Sequence, residues 1–249
     1  MNRAIRELVS PEEWQARIDL AAAYRLVAMF GWDDLVFTHI SAKVPGTDHF
    51  LINPFGWMFE EITASSLVKV DAAGQTVMPS EYDINPAGYT IHSCIHATRE
   101  DAMCVMHTHS INGVAISAQA DGLLPLSQFS LTILPSLSYH DYEGFALLEE
   151  EKARLVRDLG SANHLMLRNH GLLTVGTSVA AAFLSMHRFE AACMVQVRAQ
   201  GGGRLIHVPR EVQNLAFSQL GQVRGSGGVD RVWPGLLRRL ARRFPGFDE

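Results

Sequence analysis

Short apolar runs broken by turn signals dominate the first two thirds of the chain, and longer amphipathic stretches dominate the rest. Ser10-Pro11-Glu12-Glu13 is a helix start, with a serine N-cap, proline at the first helical position and glutamate three residues on. Trp14, Ile18, Ala22 and Met29 follow at helical spacing, and Gly31 is a candidate C-cap. Residues 36–44 read as extended and end at Pro45-Gly46. Phe50 to Ile52 is a second short strand, stopped by Asn53-Pro54. Leu67 to Val70 alternates, and Asp71 to Gly74 turns it into a strand around Thr76 and Val77. Ala102 to Met106 is a continuous apolar run of buried-strand length. Helices are predicted over 89–97, 112–120 and 145–159, and short strands over 165–167 and 172–175. A long alanine-rich helix runs from a Ser178 cap to Gly201-Gly202-Gly203. Gly225 to Gly228 loosens the chain before a last helix over 234–243. Strands mixed with helices predict a layered α/β domain, and the short turns between successive strands predict a mixed sheet.

Composition narrows this picture. A chain of 249 residues, 47% of them hydrophobic, supports one sizeable core. We expect one domain over 1–210. Residues 211–249 form an extension whose basic amphipathic helix lies at a subunit interface. The net charge of −5 gives no reason to expect nucleic acid. The late arginines (Arg231, Arg238, Arg239, Arg242, Arg243) read as a solvated helix face or subunit contact. Three cysteines in apolar surroundings fit free thiols in a reducing compartment. The N-terminus has no apolar signal core, and no apolar stretch is long enough for a bilayer. The expectation is a cytoplasmic protein with no membrane partner.

The chemistry concentrates in histidines. His107 and His109 end the apolar run at 102–106, and residues two apart share a face of a strand. A third imidazole, His170 of Asn169-His170-Gly171, sits beside the apolar run Leu165 to Leu167. Three ligands with an open fourth position is the pattern of a catalytic metal, and imidazole without carboxylate suits Zn, Fe, Mn, Co, Ni or Cu. His92 and His96 form a rival pair four apart on a predicted helix. The metalloprotease pattern needs glutamate after the first histidine, where this chain has Ser93. We read His92 as facing substrate or packed behind the ligands, and His96 as a solvent or helix-packing residue. Tyr139 to Gly144 reads as a polar loop, either plain surface or a source of proton donors through Tyr139, His140 and Tyr142. Lys152, Arg154 and Arg157 read as solvated. Phe37, Phe55, Trp57, Phe59 and Phe129 read as ordinary core for the most part, with an apolar substrate wall as the alternative.

Thr38-His39-Ile40-Ser41, Ile52-Asn53-Pro54-Phe55-Gly56, Arg99-Glu100-Asp101 leading to His107-Thr108-His109, and Asn169-His170-Gly171 with its following helix together resemble the class II aldolase/adducin superfamily. The resemblance covers about residues 13–200. It implies a three-layer α/β/α fold with a mixed, mostly antiparallel central sheet. It also implies a homotetramer with interfacial active sites and one divalent ion per subunit: zinc foremost, iron or manganese as alternatives. The metal ligands carry over as His107, His109 and His170. His39, Asn53, Phe55, Gly56, Gly88 and Gln128 fall at substrate-binding positions. Several of these depart from the sugar-phosphate aldolases. Their acid/base glutamate falls at Gly88, and Glu81 is displaced from it by seven. Their phosphate-binding serines become Pro86 and Ala87. An asparagine becomes His39, a threonine becomes Phe55, and the proton-donating tyrosine falls at Gln128. A phosphate needs several N–H and O–H donors, which Phe, Pro and Ala side chains do not supply. The Asn85-Pro86-Ala87-Gly88 variant resembles the adducin-like branch, whose cytoskeletal members lack the metal histidines that this chain keeps.

Three functions follow from the resemblance. The first is metal-assisted C–C cleavage of a small non-phosphorylated 2-oxo or 2-hydroxy acid, by retro-aldol reaction or decarboxylation, with His92, Tyr139, His140 or Tyr142 moving the proton. The second is mononuclear Fe(II) oxygenation of an aryl-pyruvate. The third is a non-catalytic adducin-like assembly module.

Overall fold

The computed structural model describes residues 2–145, 149–225 and 228–249. In chain order the elements are α1 (Asn2–Leu8), α2 (Pro11–Phe30), β1 (His39–Lys43), β2 (Phe50–Ile52), β3 (Val68–Val70), α3 (Pro86–Thr98), β4 (Cys104–Thr108), α4 (Ile111–Ser117), α5 (Gln128–Ile133), β5 (Leu137–His140), α6 (Glu149–Leu159), β6 (His164–Leu167), β7 (Gly171–Gly176), α7 (Val179–Gln200), α8 (Arg210–Gly225) and α9 (Gly228–Arg243). The seven strands form one sheet in the order β3-β2-β1-β4-β7-β6-β5. Every pairing is antiparallel except β5 with β6. Helices cover both faces, so the expected three-layer α/β/α fold with a mixed, mostly antiparallel sheet is what the chain adopts.

Strand alternation assigns the two faces. On β4, Cys104 and Met106 join the larger core with Ile40, Ala42, Leu26 of α2 and Phe183 and Met186 of α7. Val105 joins the smaller core with Ile91 and Ile95 of α3, Leu155 and Leu159 of α6, and Leu173 of β7. His107 is two residues beyond Val105 and shares the α3 side. On β1, His39 and Ser41 take that same side while Ile40 and Ala42 face α2. The polar residues of both strands therefore meet under α3.

The start and stop signals act as read. Ser10 Oγ accepts from the Glu13 amide at 3.1 Å, and Gly31 closes α2 in the left-handed conformation at φ 70°. Ser178 caps α7 by accepting from the Ala181 amide. Other expectations change. Residues 137–140 are strand β5, paired parallel with β6, and not a polar loop. Around Thr76 there is only an isolated bridge to Val70. Helix α6 begins at Glu149; residues 146–148 of the stretch read as its start lie outside the described residues. Helix α9 begins at Gly228, ahead of Pro234, and residues 226 and 227 of the glycine-rich stretch also lie outside the described residues.

The C-terminal segment folds back onto its own chain. Trp233 donates to Asp19 at 3.0 Å, the Ala64 amide donates to Phe247 O at 2.9 Å, and Leu240 joins the larger core. The three cysteines are free thiols. No described helix is long and apolar enough to cross a membrane.

Candidate metal centre

Strand β4 delivers His107 to the α3 side of the sheet, and the turn between β6 and β7 delivers His170 to meet it. Asn169 makes that turn tight by adopting φ 56°, a left-handed conformation that asparagine tolerates better than most side chains. Gly171 follows because a Cβ there would lie 2.4 Å from Thr108 O. The rings of His107, His109 and His170 stand with centroids 4.7–4.8 Å apart. One nitrogen from each lies within 4.8 Å of the others.

The hydrogen bonds behind the triad decide which nitrogens are free. His107 Nδ1 donates to the Leu172 carbonyl at 3.0 Å, and His109 Nδ1 donates to the Asp34 carboxylate at 2.9 Å. The two Nε2 atoms then face each other at 2.9 Å. With both Nδ1 positions committed as donors, the Nδ1–H tautomers bring two lone pairs together there. A cation between them resolves that conflict. A histidine held from behind by a carbonyl or carboxylate is the usual support of a metal ligand. Burial, and then the neighbouring histidines, hold His107 well below the ordinary imidazole pKa and bring His170 to about 4. Both are thus neutral at physiological pH, the form in which imidazole binds a metal. The residues fit a divalent ion.

Behind the triad lies a second histidine cluster. His39 Nδ1 is 2.9 Å from His92 Nε2, and His92 Nδ1 is 2.6 Å from Ser41 Oγ. Ser41 Oγ is 2.7 Å from His96 Nε2, and His96 Nδ1 is 2.8 Å from Ala102 O. All four side chains are buried. Burial lowers the His39 pKa to about 3 and the His96 pKa to about 4, and holds His92 well below the ordinary value.

A pocket of about 670 Å³ opens onto the triad, lined also by Asp33, Asp34, Phe37, His39, Phe55, Ile111, Tyr142 and Phe145. Among the described residues no lysine or arginine lines it. Of the sequence candidates, Phe37, His39, Phe55, Tyr142, His107, His109 and His170 come together here. The others do not. His92 stands behind His39 and His96 is buried, so neither faces solvent or substrate. The Tyr139 hydroxyl accepts from the Leu123 amide at 3.1 Å, and Arg168 covers its ring. His140 is bonded to Asp158 at 2.8 Å and lines a small adjoining cleft shared with Tyr142 and His170. Asn53 is buried, with Oδ1 2.8 Å from the Tyr24 hydroxyl. Gly56 and Gln128 are exposed outside the pocket. Gly88 packs on His39: a Cβ there would lie 2.6 Å from the ring. Glu81 lines a separate cavity beside Arg17. Of the aromatic wall, Phe37 and Phe55 line the pocket. Phe59 is core, edge-on to Tyr24, Trp57 packs on Tyr82, and Phe129 is exposed elsewhere. Arg154, read as solvated, pairs with Glu143.

Sequence reasoning missed three groups. Asp34 orients His109. Asp33 lines the pocket, its pKa raised first by burial and then by Glu60 and Asp34. Two adjacent acids between a helix stop and a histidine-bearing strand were the available signal. Glu190 of α7, buried with a raised pKa, accepts from Ser110 and from Asn112 at 2.6 Å and fixes the chain just after His109.

Comparison with known proteins places this geometry in context. The family model described as "Class II Aldolase and Adducin N-terminal domain" matches residues 18–197. A class 2 aldolase-like protein of Pseudomonas aeruginosa is 60% identical over 248 residues, which cover 98% of this chain and 95% of that protein. Alpha-adducin of Rattus norvegicus is 47% identical over 193 residues, covering 75% of this chain but 26% of the adducin. The solved structure of L-fuculose 1-phosphate aldolase from Glaciozyma antarctica superposes with a TM-score of 0.82. It is 28% identical, with 94% of this chain and 92% of that chain covered.

Proposed function

The chain belongs to the class II aldolase and adducin family, and on that premise we propose that it is a divalent-metal-dependent lyase that cleaves a C–C bond in a small, non-phosphorylated 2-oxo or 2-hydroxy acid. The observation that carries the reading is the pocket itself. It joins a triad built for a cation to a lining without a single described lysine or arginine. A phosphate dianion in such a site would meet Asp33 and Asp34 instead of donors. A mono-acid that chelates through its carboxylate and adjacent oxygen needs only the cation.

His107, His109 and His170 would hold the ion, zinc foremost, with Leu172 O and Asp34 fixing the first two rings. When bound, the ion supplies Lewis-acid stabilisation of the negative charge that develops on a substrate oxygen. The protein supplies the rest. Phe37, Phe55 and Ile111 offer apolar surface to an apolar substituent. Asp33, with its raised pKa, and the Tyr142 hydroxyl are the pocket groups placed to carry a proton. His39 orients the substrate from the sheet side. Ile111 and Phe145, 81% and 83% exposed at the pocket rim, suit burial against a neighbouring subunit in a homotetramer.

The test is metal analysis of protein purified without added metal, followed by anaerobic turnover of a panel of 2-oxo and 2-hydroxy acids. We expect zinc or manganese in the triad and metal-dependent release of a smaller fragment or CO2. Iron with substrate-dependent O2 uptake would establish the second reading, Fe(II) oxygenation. That reading is favoured by the carboxylate-free triad beside three phenylalanines, Phe37, Phe55 and Phe145. Neither metal nor turnover would leave an assembly module.

A further inference from the structure

The buried chain from Ala102 to His39 has a direction, and the backbone fixes it. A carbonyl only accepts, so the proton between His96 and Ala102 O sits on His96 Nδ1. A neutral imidazole protonated there has a bare Nε2, which must receive the Ser41 hydroxyl proton at 2.7 Å. Ser41 has only that proton, so its oxygen accepts from His92 Nδ1–H at 2.6 Å. His92 Nε2 is then bare and accepts from His39 Nδ1–H at 2.9 Å. The same rule leaves His39 Nε2 without a proton. Every donor and acceptor along this line is matched, and any single tautomer flip would put two lone pairs or two protons face to face. The line ends in the pocket. His39 contributes to its lining, and Nε2 has no hydrogen-bond partner among the described residues. Gly88 leaves the space that the ring fills.

We infer that His39 is an acceptor-only, specificity-determining residue, locked by the Ser41–His92–His96 line, which selects a ligand hydroxyl beside the metal triad and so favours a 2-hydroxy acid over the matching 2-oxo acid. The inference rests on the reading that a small acid binds at the triad. Ser41, His92 and His96 are positioning residues: they reach the ligand only through His39.

Nitrogen-15 long-range correlation spectra of zinc-loaded, histidine-labelled protein read the tautomers directly. We expect the Nδ1–H pattern at His39, His92 and His96, with the His39 signals identified by their loss in His39→Phe. An Nε2–H pattern at His39, or an Nε2 shift showing it bound to zinc, overturns the inference. Calorimetry with mandelate and phenylglyoxylate, which differ as CH–OH and C=O at position 2, reads the selection. Wild type should favour mandelate by about tenfold, the worth of one hydrogen bond. That ratio should fall to about one in His39→Phe and lean toward phenylglyoxylate in His39→Gln, whose amide can donate. A preference unchanged in both variants, at unchanged zinc content, overturns the inference. If neither acid binds in a zinc-dependent way, the lyase reading falls, and the tautomer pattern decides His39 on its own.

Discussion

The two histidine clusters meet where β1 and β4 carry His39 and His107 side by side, and they differ in how their ring nitrogens are satisfied. In the His39–His92–Ser41–His96 line every ring nitrogen that faces another polar atom has a matched partner. In the triad, the Nε2 atoms of His107 and His109 face each other at 2.9 Å, with both Nδ1 donors already engaged behind. Proximity of histidines is therefore no mark of a metal site. What distinguishes the triad is an excess of acceptors over donors, which a bound cation satisfies. The line has no such excess and contributes rigidity in its place.

The sharpest way to break this comparison is to remove one triad ring. His107→Ala or His170→Ala should take metal content from about one ion per chain to background, because two imidazoles no longer define a site. His92→Ala, by contrast, should keep the metal. Elemental analysis of the purified variants checks both, and full metal content in either triad variant would show that the acceptor excess had been misread.

The line has its own signature, in acid. Burial keeps His39, His92 and His96 neutral far below their ordinary value of 6.5, and a His107→Ala variant, which isolates the line from metal binding, should keep this behaviour. The unfolded chain takes up protons at those positions as pH falls through 6.5, and the folded chain does not. Stability is thus complete above about pH 6.5 and declines as pH falls toward the folded values of about 3 for His39 and about 4 for His96. Each group contributes up to about 1.4 kcal/mol per pH unit in that window. Urea denaturation at pH 7, 6 and 5 measures it, and a flat profile would mean that the line is already protonated or solvated when folded.

Much of this was legible in sequence, for reasons that also set the limit. The strand period put His107 and His109 on one face, the serine caps of α2 and α7 were readable, and Asn169-His170-Gly171 signalled a turn because asparagine and glycine suit the backbone it needs. Local patterns report which face a residue takes and never what lies opposite. His92 and His96 were seen as one helix face, but Ser41 lies on β1, about fifty residues earlier, and only the packing of α3 on the sheet brings them together. Tyr139 and His140 were read as loop because a four-residue strand with exposed, polar neighbours has no clean alternation; its parallel pairing with β6 is a tertiary fact. Gln128 and Gly56 were placed by family position, yet the fold leaves both outside the pocket.

Asp34 sharpens the comparison from the triad's side. Asp34→Asn keeps the shape and an oxygen to accept from His109 Nδ1 but removes the charge behind the ring. Zinc affinity, measured by competition with a chelator, should drop about 10–100-fold. The stability of the histidine line should be untouched, since no member of it bonds to Asp34. A loss of stability without a loss of affinity would make Asp34 a loop anchor, not a support for the metal ligand.

The smallest expected effect separates a hydroxyl that holds the fold from one that faces the site. Tyr139 and Tyr142 stand three residues apart and both looked like proton donors. Tyr139 is enclosed: its hydroxyl accepts from the Leu123 amide, lies where a Cβ on Gly122 would come within 2.4 Å, and its ring lies 4.2 Å beneath the Arg168 guanidinium. Tyr142 is about half exposed at the pocket, with its ring 6.3 Å from His170. Tyr139→Phe removes one hydrogen bond and leaves the Leu123 amide to find another partner. It should cost about 0.5–1.5 kcal/mol in urea denaturation and leave kcat and KM unchanged. Tyr142→Phe should show the converse, with stability intact and kcat reduced. If Tyr139→Phe lowered kcat at full stability, β5 would have to move during turnover, and the division between the strand that braces the site and the loop that serves it would fail.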